Sequence, residues 1–325
     1  MRIMKTNSRT FYATTTQFDR IRPLTSDLMS NKAKYSVMVA LGAMTTGMLP
    51  TMIKLGLSAG VSLSHLMLAS VSISFVIFAI ILASFRQYSI NKTKRIRLFL
   101  VGLTMGLTAW TFTKTVECLP ASVAVVLQFQ FVWIGVLLDA VYRRQWPGRR
   151  RWLMIALILS ATVLAAGVLS DFEHFYLTWS GVAFGLLCAI CYSFFLFFNA
   201  HVVSDAHWSQ RTFYIMVGCV ASTLVLIIPN LELTMSGDTL GSAIWYGGLM
   251  AVLGYAIPIV FFAIGIPRIG SGISSILCAC ELPMAVIVAM LILGEKIAWL
   301  QWVGVVIIFV SLFIREPDAE QSPQR

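Results

Sequence analysis

Long runs of apolar residues separated by short basic loops are the feature that most limits what this chain can fold into. A helix rises about 1.5 Å per residue and the bilayer hydrocarbon is about 30 Å thick, so a span needs about 20 apolar residues. Ten runs of suitable length are present, at 37–57, 63–85, 98–116, 121–141, 152–170, 179–199, 212–229, 242–266, 272–293 and 297–314. The pattern predicts an all-α membrane protein with ten transmembrane helices.

The basic residues predict how these helices cross the membrane. Of the 24 Lys and Arg residues, all except Lys54, Lys114 and Lys296 lie in the terminal segments or in loops on one side of the predicted spans. The positive-inside rule makes that side, and therefore both termini, cytoplasmic. We expect residues 1–33 to form a disordered cytoplasmic tail and residues 316–325 to form a second one.

Composition narrows the class of protein further. Hydrophobic residues make up 58% of the chain and charged residues only 12%, which excludes an ordinary soluble domain. The net charge of +10 lies in short loops, where it suits anionic lipid headgroups better than nucleic acid. Neither a Walker loop nor a Gly-x-Ser-x-Gly elbow occurs, so the sequence predicts no enzyme, no cofactor and no metal site.

The two halves of the chain resemble each other weakly. A shift of 150 positions aligns Leu103 with Leu253 and Phe112 with Phe262. We therefore predict two five-helix repeats, at 34–170 and 178–315. Because each repeat has an odd number of helices, the second must enter the membrane from the opposite side. Inverted repeats of this kind frame many secondary transporters, which expose a midplane site to each side in turn.

One motif in the second repeat points to a family. Small residues lead to a Glu-x-Pro motif, an apolar run, a Gly-Glu pair and a later glycine, and this order resembles the C-terminal repeat of the drug/metabolite transporter superfamily, in its ten-helix EamA-like branch. The residues are Glu281, Pro283, Gly294, Glu295 and Gly304. The first repeat departs from the pattern, because it lacks the proline and has Arg143 and Arg144 where the glutamate would be.

The resemblance implies a function. Members of this superfamily move amino acids, other metabolites, dyes or drugs, so we expect alternating-access transport of a small organic solute, with export as its direction. The short loops and modest length fit a bacterial inner membrane, with an organelle membrane as the alternative. The energy source is expected to be either a proton gradient or the gradient of the solute itself.

Glu281 is the strongest candidate for a functional residue. A charged group within the bilayer costs about 2.5–3.5 kcal/mol on insertion scales, so one retained there indicates function. Pro283 removes a backbone donor and frees a carbonyl on the previous turn, which would place the acid beside irregular backbone. Glu281 would then bind a substrate group or take up a proton. The structural alternative is a protonated carboxyl that hydrogen-bonds a neighbouring helix.

Other polar and aromatic residues of the spans are weaker candidates for the substrate site. Each has a structural alternative: a lysine can reach the membrane interface, an amide can bond across helices, and an aromatic ring can pack. Pro50, like Pro283, is a candidate helix break. The substrate-site candidates are Lys54, Trp110, Lys114, Gln128, Gln130, Tyr192 and Tyr255. Asp139, in contrast, is expected simply to pair with Arg143 one turn later.

Two other functions stay open at this stage. A nucleotide-sugar or triose-phosphate carrier of the same superfamily would need several basic residues in its cavity, and only Lys54 and Lys114 qualify. A membrane-embedded enzyme or a receptor is the alternative from another class. An enzyme would need a paired nucleophile and base, or clustered carboxylates, at membrane depth, where Glu281 is the one firm acid.

Overall fold

A computed structural model describes residues 32–85, 88–119, 121–165, 178–228, 237–294 and 297–312. All regular structure in these ranges is helical, which confirms the predicted all-α class. Residues 32 and 33, expected in the N-terminal tail, already belong to the first helix. The rest of that tail, the C-terminal tail and Glu295 lie outside the described residues.

We number the helices in chain order and join pieces that continue one another across a break. They are α1 (Lys32–Ser58), α2 (Leu63–Ser84), α3 (Lys92–Cys118), α4 (Ala121–Gln128 and Phe131–Arg143), α5 (Arg149–Ala165), α6 (Trp179–His201), α7 (Trp208–Ile227), α8 (Gly237–Met250, Ala251–Ala256 and Ile257–Ile269), α9 (Ser271–Leu277, Cys278–Cys280 and Glu281–Leu293) and α10 (Trp299–Leu312).

Eight of these helices are long and apolar enough to cross a membrane within the described residues. The other two, α5 and α10, have 17 and 14 described residues and match the predicted spans 152–170 and 297–314. Eight crossings therefore have structural support, and a total of ten stays a prediction.

Three helices are interrupted close to a proline, whose ring nitrogen has no hydrogen to donate to the carbonyl four residues earlier. Helix α1 turns at 47–48, just before Pro50. Helix α8 contains a π-helical segment, Ala251–Ala256, that ends just before Pro258. Helix α9 tightens to a 3₁₀ turn at Cys278–Cys280, and Pro283 follows. These breaks place irregular backbone deep within apolar helices.

The contacts that helices of the first half make match the contacts that the corresponding helices of the second half make. Helix α3 packs on α6 and α7, and its counterpart α8 packs on α1 and α2. Helix α4 contacts α6 just as α9 contacts α1, while α4 pairs with α9 and α5 pairs with α10. The 150-residue offset also relates helix starts, since Ala121 corresponds to Ser271 and Arg149 to Trp299.

Helices α4 and α9 meet mainly through one half of each. Phe131–Arg143 packs closely on Ser271–Leu277, whereas Ala121–Gln128 contacts α6 and Glu281–Leu293 contacts α1. The two helices therefore cross, joined at one end and separated at the other. We call the joined end, which lies beside the basic loop at Arg143 and Arg144, the closed end.

Arg211 reinforces the closed end, although the sequence analysis counted it among the loop residues. It lies in the first turn of α7, is 1% exposed, and joins three helices. Its guanidinium donates at 2.7 Å to the Asn199 side chain in α6 and at 2.6 Å to the Ala263 carbonyl in α8. The Ala263 carbonyl needs this donor because Pro267 has no N–H to offer it.

Candidate functional site

A cavity of about 170 Å³ lies where the broken helices meet. Its wall comes from α1, α2, α3, α4, α6, α8 and α9, and includes residues at or next to the breaks in α1, α4, α8 and α9. From that level it extends away from the closed end, toward the beginning of α2 at Leu63 and the end of α3 at Thr113. The separation of α4 from α9 creates this space.

Glu281 is the acid in the cavity wall. It is partly buried at the start of the second half of α9, and its carboxyl interacts with the Thr46 hydroxyl of α1. Thr46 also donates to the Ala43 carbonyl at 2.7 Å. Gly47 allows the two helices to approach, since a Cβ at that position would lie 2.2 Å from the Glu281 backbone oxygen.

The rest of the polar wall is made of neutral side chains. Thr108 and Thr113 come from α3, and Gln128 comes from the last turn before the break in α4. Both threonines donate within their own helix, Thr108 to the Thr104 carbonyl at 2.7 Å and Thr113 to the Ala109 carbonyl at 3.0 Å. Threonine hydroxyls bonded in this way are stable at membrane depth and still present oxygen lone pairs.

Aromatic rings and aliphatic side chains form most of the remaining wall. Tyr192 and Phe195 of α6 are stacked with ring centroids 6.2 Å apart. Tyr255 lies in the π-helical segment of α8, and Phe262 lies about one turn beyond Pro258. The cavity is thus mainly apolar, with a few polar groups that face into it, as is typical of small-molecule sites.

The structure brings five of the predicted site residues together. Glu281, Gln128, Tyr192, Tyr255 and Pro50 all line the cavity, although they come from five different helices.

The other predicted residues lie outside the cavity wall. Gln130 donates to the Val126 carbonyl and accepts from the Trp133 ring, so both ends of its amide are used within α4. Trp110 packs edge-on against Phe184. Pro283 is buried within α9 and acts through the backbone.

Lys54 and Lys114 are likewise absent from the wall. Lys54 is exposed near the end of α1, and Lys114 is half-buried near the end of α3. These positions favour the predicted anchoring role over direct contact with a substrate. A local pair with Glu117, three residues later, is the other structural alternative for Lys114, and the side chain of Glu117 lies outside the described residues.

Sequence reasoning missed Thr46, Thr108 and Thr113. One signal was available: Thr104, Thr108 and Thr111 recur at spacings of three and four, which puts hydroxyls on one stripe of an otherwise apolar helix. The sequence does not reveal which of these threonines face a cavity. Thr111, for example, is fully buried away from the wall.

A charged cluster joins α4 to α9 at the closed end. Asp139 is 5% exposed and accepts from Arg143 Nε at 3.1 Å, which confirms the predicted pair. The same carboxyl oxygen accepts from the Ser271 hydroxyl at 2.8 Å, a contact that the sequence did not suggest. Gly270, with φ of +88°, makes the turn between α8 and α9, and a side chain there would meet the Arg143 guanidinium.

Two titratable groups lie in the short loop between α6 and α7. A hydrogen bond from Lys94 lowers the pKa of Asp205, which is solvent-exposed. Partial burial lowers the pKa of His207, whose ring stacks on Tyr88 with centroids 3.8 Å apart. Both groups are therefore in their usual states at pH 7, Asp205 ionised and His207 neutral. Within the described part of the chain, no group of His, Cys, Asp and Glu is arranged to hold a metal ion.

Comparison with known proteins gives a family match in the second half of the chain. Residues 179–315 match the EamA-like transporter family. The threonine/homoserine exporter RhtA of Salmonella typhimurium is 22% identical over 253 residues, covering 75% of this chain and 80% of the exporter. The protein of that name from Escherichia coli K12 is 23% identical over 230 residues, covering 68% and 72%.

A solved crystal structure shares the fold. The similarity covers 87% of this chain and 96% of the solved chain, with a TM-score of 0.69 and 11% sequence identity. At that identity the match concerns the arrangement of the helices and carries no information about the solute.

Proposed function

We propose that this chain, which belongs to the drug/metabolite transporter superfamily, exports a small organic solute by alternating access. The EamA-like match and the RhtA relatives make it a multi-pass membrane transporter and not an enzyme. The direction, the solute and the mechanism are our proposal. The observation that carries the proposal is a cavity at the crossing of two broken helices, with an acid in its wall.

The pattern of helix contacts supports alternating access. Because α3 relates to α6 and α7 as α8 relates to α1 and α2, the halves can exchange roles about the α4–α9 crossing. In the present state these helices are joined at the closed end, which the basic loops assign to the cytoplasm. Rocking about the crossing would separate that end and join the other, which moves the opening of the cavity to the cytoplasmic side. The proposed membrane is the bacterial inner membrane.

Glu281 and Thr46 supply a simple means of proton coupling. The Thr46 hydroxyl has one proton and lies between two acceptors, the Ala43 carbonyl and the Glu281 carboxyl. When Glu281 is ionised, Thr46 can turn its proton to the carboxylate. When Glu281 is protonated, it can donate to Thr46, which then donates to Ala43. Both states are therefore satisfied in the apolar interior, and the proton or a substrate can occupy the same acid.

The phosphate-carrier alternative loses support from the cavity. Nucleotide sugars and triose phosphates carry negative charge, which calls for basic groups. Lys54 and Lys114 were the candidates, and neither lines the cavity. The RhtA relatives, named for threonine and homoserine, suggest amino acids as one candidate class of solute.

The test uses purified protein in liposomes with an acidic lumen. The probes are threonine, phenylalanine and phenethylamine, each corrected for uptake by protein-free liposomes. We expect Glu281→Gln to abolish pH-driven accumulation while retaining exchange of a bound probe, and Glu281→Asp to restore part of the coupling. Gln130→Leu, outside the cavity, is the matched control and should behave as wild type. Coupling that survives Glu281→Gln would remove Glu281 from this role.

A further inference from the structure

The threonine hydroxyls of the cavity wall already donate their protons to other acceptors. Thr46, Thr108 and Thr113 each donate to a carbonyl of their own helix, at 2.7, 2.7 and 3.0 Å. A hydroxyl has one proton and two lone pairs, so these groups offer the cavity acceptors and no donors. A ligand with N–H donors can therefore bond to these threonine oxygens, whereas a carboxylate, which only accepts, cannot.

A few groups of the wall can also donate. Tyr192 and Tyr255 line the cavity, and each hydroxyl has one proton as well as oxygen lone pairs. Among the described residues of the wall, Gln128 has the one side-chain amide, which also can both donate and accept. Acceptors therefore outnumber donors around the cavity.

The charge of the wall also favours a cationic occupant. Among the described residues that line the cavity, Glu281 is the one with an acidic or basic side chain (Asp, Glu, Lys, Arg or His). Aromatic faces attract cations, most strongly where water is excluded, and the rings of Phe112, Tyr192, Tyr255 and Phe262 belong to the same wall. A cation is thus stabilised from two sides, by a carboxylate and by rings.

The volume limits the size of the occupant. A dry apolar cavity of about 150 Å³ holds one benzene molecule. The cavity described above has about 170 Å³, room for one ring and a short chain. Large multi-ring drugs do not fit this state.

We propose that the substrate is a small primary amine in its cationic form, with an apolar body about the size of one ring. Its ammonium group donates to Glu281 and to threonine oxygens, and its body lies against the aromatic rings. This inference rests on the proposed function and narrows it, because it favours amines over the amino acids for which the relatives are named. A zwitterion would bring a carboxylate to a wall whose described residues include an acid and no Lys, Arg or His, and an unpaired charge in an apolar site is costly.

Four probes with a common phenylethyl body test the inference by equilibrium binding to the purified full-length protein in detergent. They are phenethylamine, phenylalanine, 3-phenylpropionate and 2-phenylethanol, which present an ammonium, a zwitterion, a carboxylate and a hydroxyl. We expect phenethylamine to bind at least about tenfold more tightly than each of the others, a margin that corresponds to one well-placed charged contact.

Two threonine variants locate the binding site. Thr108→Val removes an acceptor from the wall and should weaken phenethylamine binding several-fold. Thr111→Val is the matched control, since Thr111 makes the same 2.7 Å bond to the carbonyl four residues earlier but lies outside the wall. Glu281→Gln should weaken binding at least about tenfold, which is the loss expected for one charged contact. Thermal unfolding of each variant separates loss of a contact from loss of the fold.

The outcomes separate this inference from the proposed function. Phenylalanine or 3-phenylpropionate binding as tightly as phenethylamine would overturn the amine class, and so would binding of none of the four. Counterflow of threonine or phenylalanine through liposomes at equal pH on both sides would then keep the transporter proposal while the amine inference fails. Equal effects of Thr108→Val and Thr111→Val would place the amine outside this cavity and also contradict the inference.

Discussion

The breaks in α4 and α9 occupy equivalent places in the two halves but have different chemistry. Phe131 begins the second half of α4, and Glu281 begins the second half of α9, 150 positions later in the chain. Phe131 is fully buried, and its ring meets Tyr192 edge-on with centroids 4.7 Å apart. Glu281 instead reaches the cavity and Thr46. The same backbone feature therefore lies in packed interior in one half and at the cavity in the other.

The neighbours of the two breaks differ in the same way. At the α4 break, the Ser193 hydroxyl of α6 lies 3.1 Å from the Phe131 carbonyl and 2.7 Å from the Ala189 carbonyl. At the α9 break, Gly47 of α1 brings bare backbone against the Glu281 carbonyl. A polar side chain holds one break, and close helix contact holds the other. The comparison teaches that breaks at corresponding positions of the two halves can have different surroundings, which individual residues determine.

The largest effect is expected from Gly47→Ala. The new Cβ would lie 2.2 Å from the Glu281 backbone oxygen, so α1 and α9 must separate. We expect destabilisation of about 3 kcal/mol, the upper range for overpacking, together with loss of solute exchange. Thermal unfolding and counterflow measure the two effects. Gly241→Ala is the control, because nothing lies within 4 Å of its added Cβ, and an equal effect there would contradict the tight α1–α9 contact.

Asp139→Asn tests the joined ends of the same two helices. The change retains the shape of the side chain but removes the charge that accepts from Ser271 and Arg143. Hydrogen bonds to charged groups contribute about 1.5–3 kcal/mol, so we expect a loss of about 2 kcal/mol in unfolding free energy. Ser160→Ala, which removes an exposed hydroxyl from α5, should have no comparable effect. A stable Asp139→Asn variant would show that the closed end does not depend on this carboxylate.

Ser193→Ala tests the α4 break with a smaller change. Removal of the hydroxyl takes away a partner of the Phe131 carbonyl but creates no clash. We expect a loss of about 1 kcal/mol, typical of one neutral hydrogen bond, with amine binding retained because Ser193 is not part of the cavity wall. Chemical or thermal unfolding, paired with the binding assay, checks both parts. Weakened binding as large as that of Thr108→Val would mean that the two breaks are functionally coupled.

The smallest effect is expected far from both breaks, at the Lys94–Asp205 pair. Its pKa shift has a definite sign: since the pKa of Asp205 is lowered, the pair stabilises the fold above the usual Asp range and loses that effect as pH falls through the lowered value. Both side chains are exposed, so water and salt screen the pair. Asp205→Asn should leave the unfolding temperature at pH 7 unchanged. A clear decrease would show that this loop contributes to the closed end.

The sequence predicted the helical class and most of the helix positions because those depend on local properties. Apolar runs of bilayer length, prolines and loop charges act through a few neighbouring residues, and the resulting spans agree with the eight described crossings. Glu281 was also identifiable, since an acid next to Pro283 in an apolar run is unusual on composition alone. The direction of each half in the membrane remains a prediction from the loop charges.

The sequence could not separate neighbouring residues where the outcome depends on how a helix is rotated. Gln128 and Gln130 are two residues apart in α4, about 200° around the helix, and the sequence treats them alike. The structure turns Gln128 to the cavity and bonds Gln130 within its own helix. Arg211 was assigned to a loop because a single arginine at a span boundary looks exposed. Its burial depends on carbonyls supplied by α6 and α8.

The sequence by itself determined that this chain forms apolar helices with basic loops, and that an acid and a proline interrupt one of them. Only the tertiary structure decided that five residues from five helices share one cavity, that its threonine hydroxyls donate within their own helices, and that the lysines lie outside it. The physical reason is that helix formation and membrane insertion follow from short stretches of chain. The composition of a cavity follows from how helices far apart in sequence are rotated and packed.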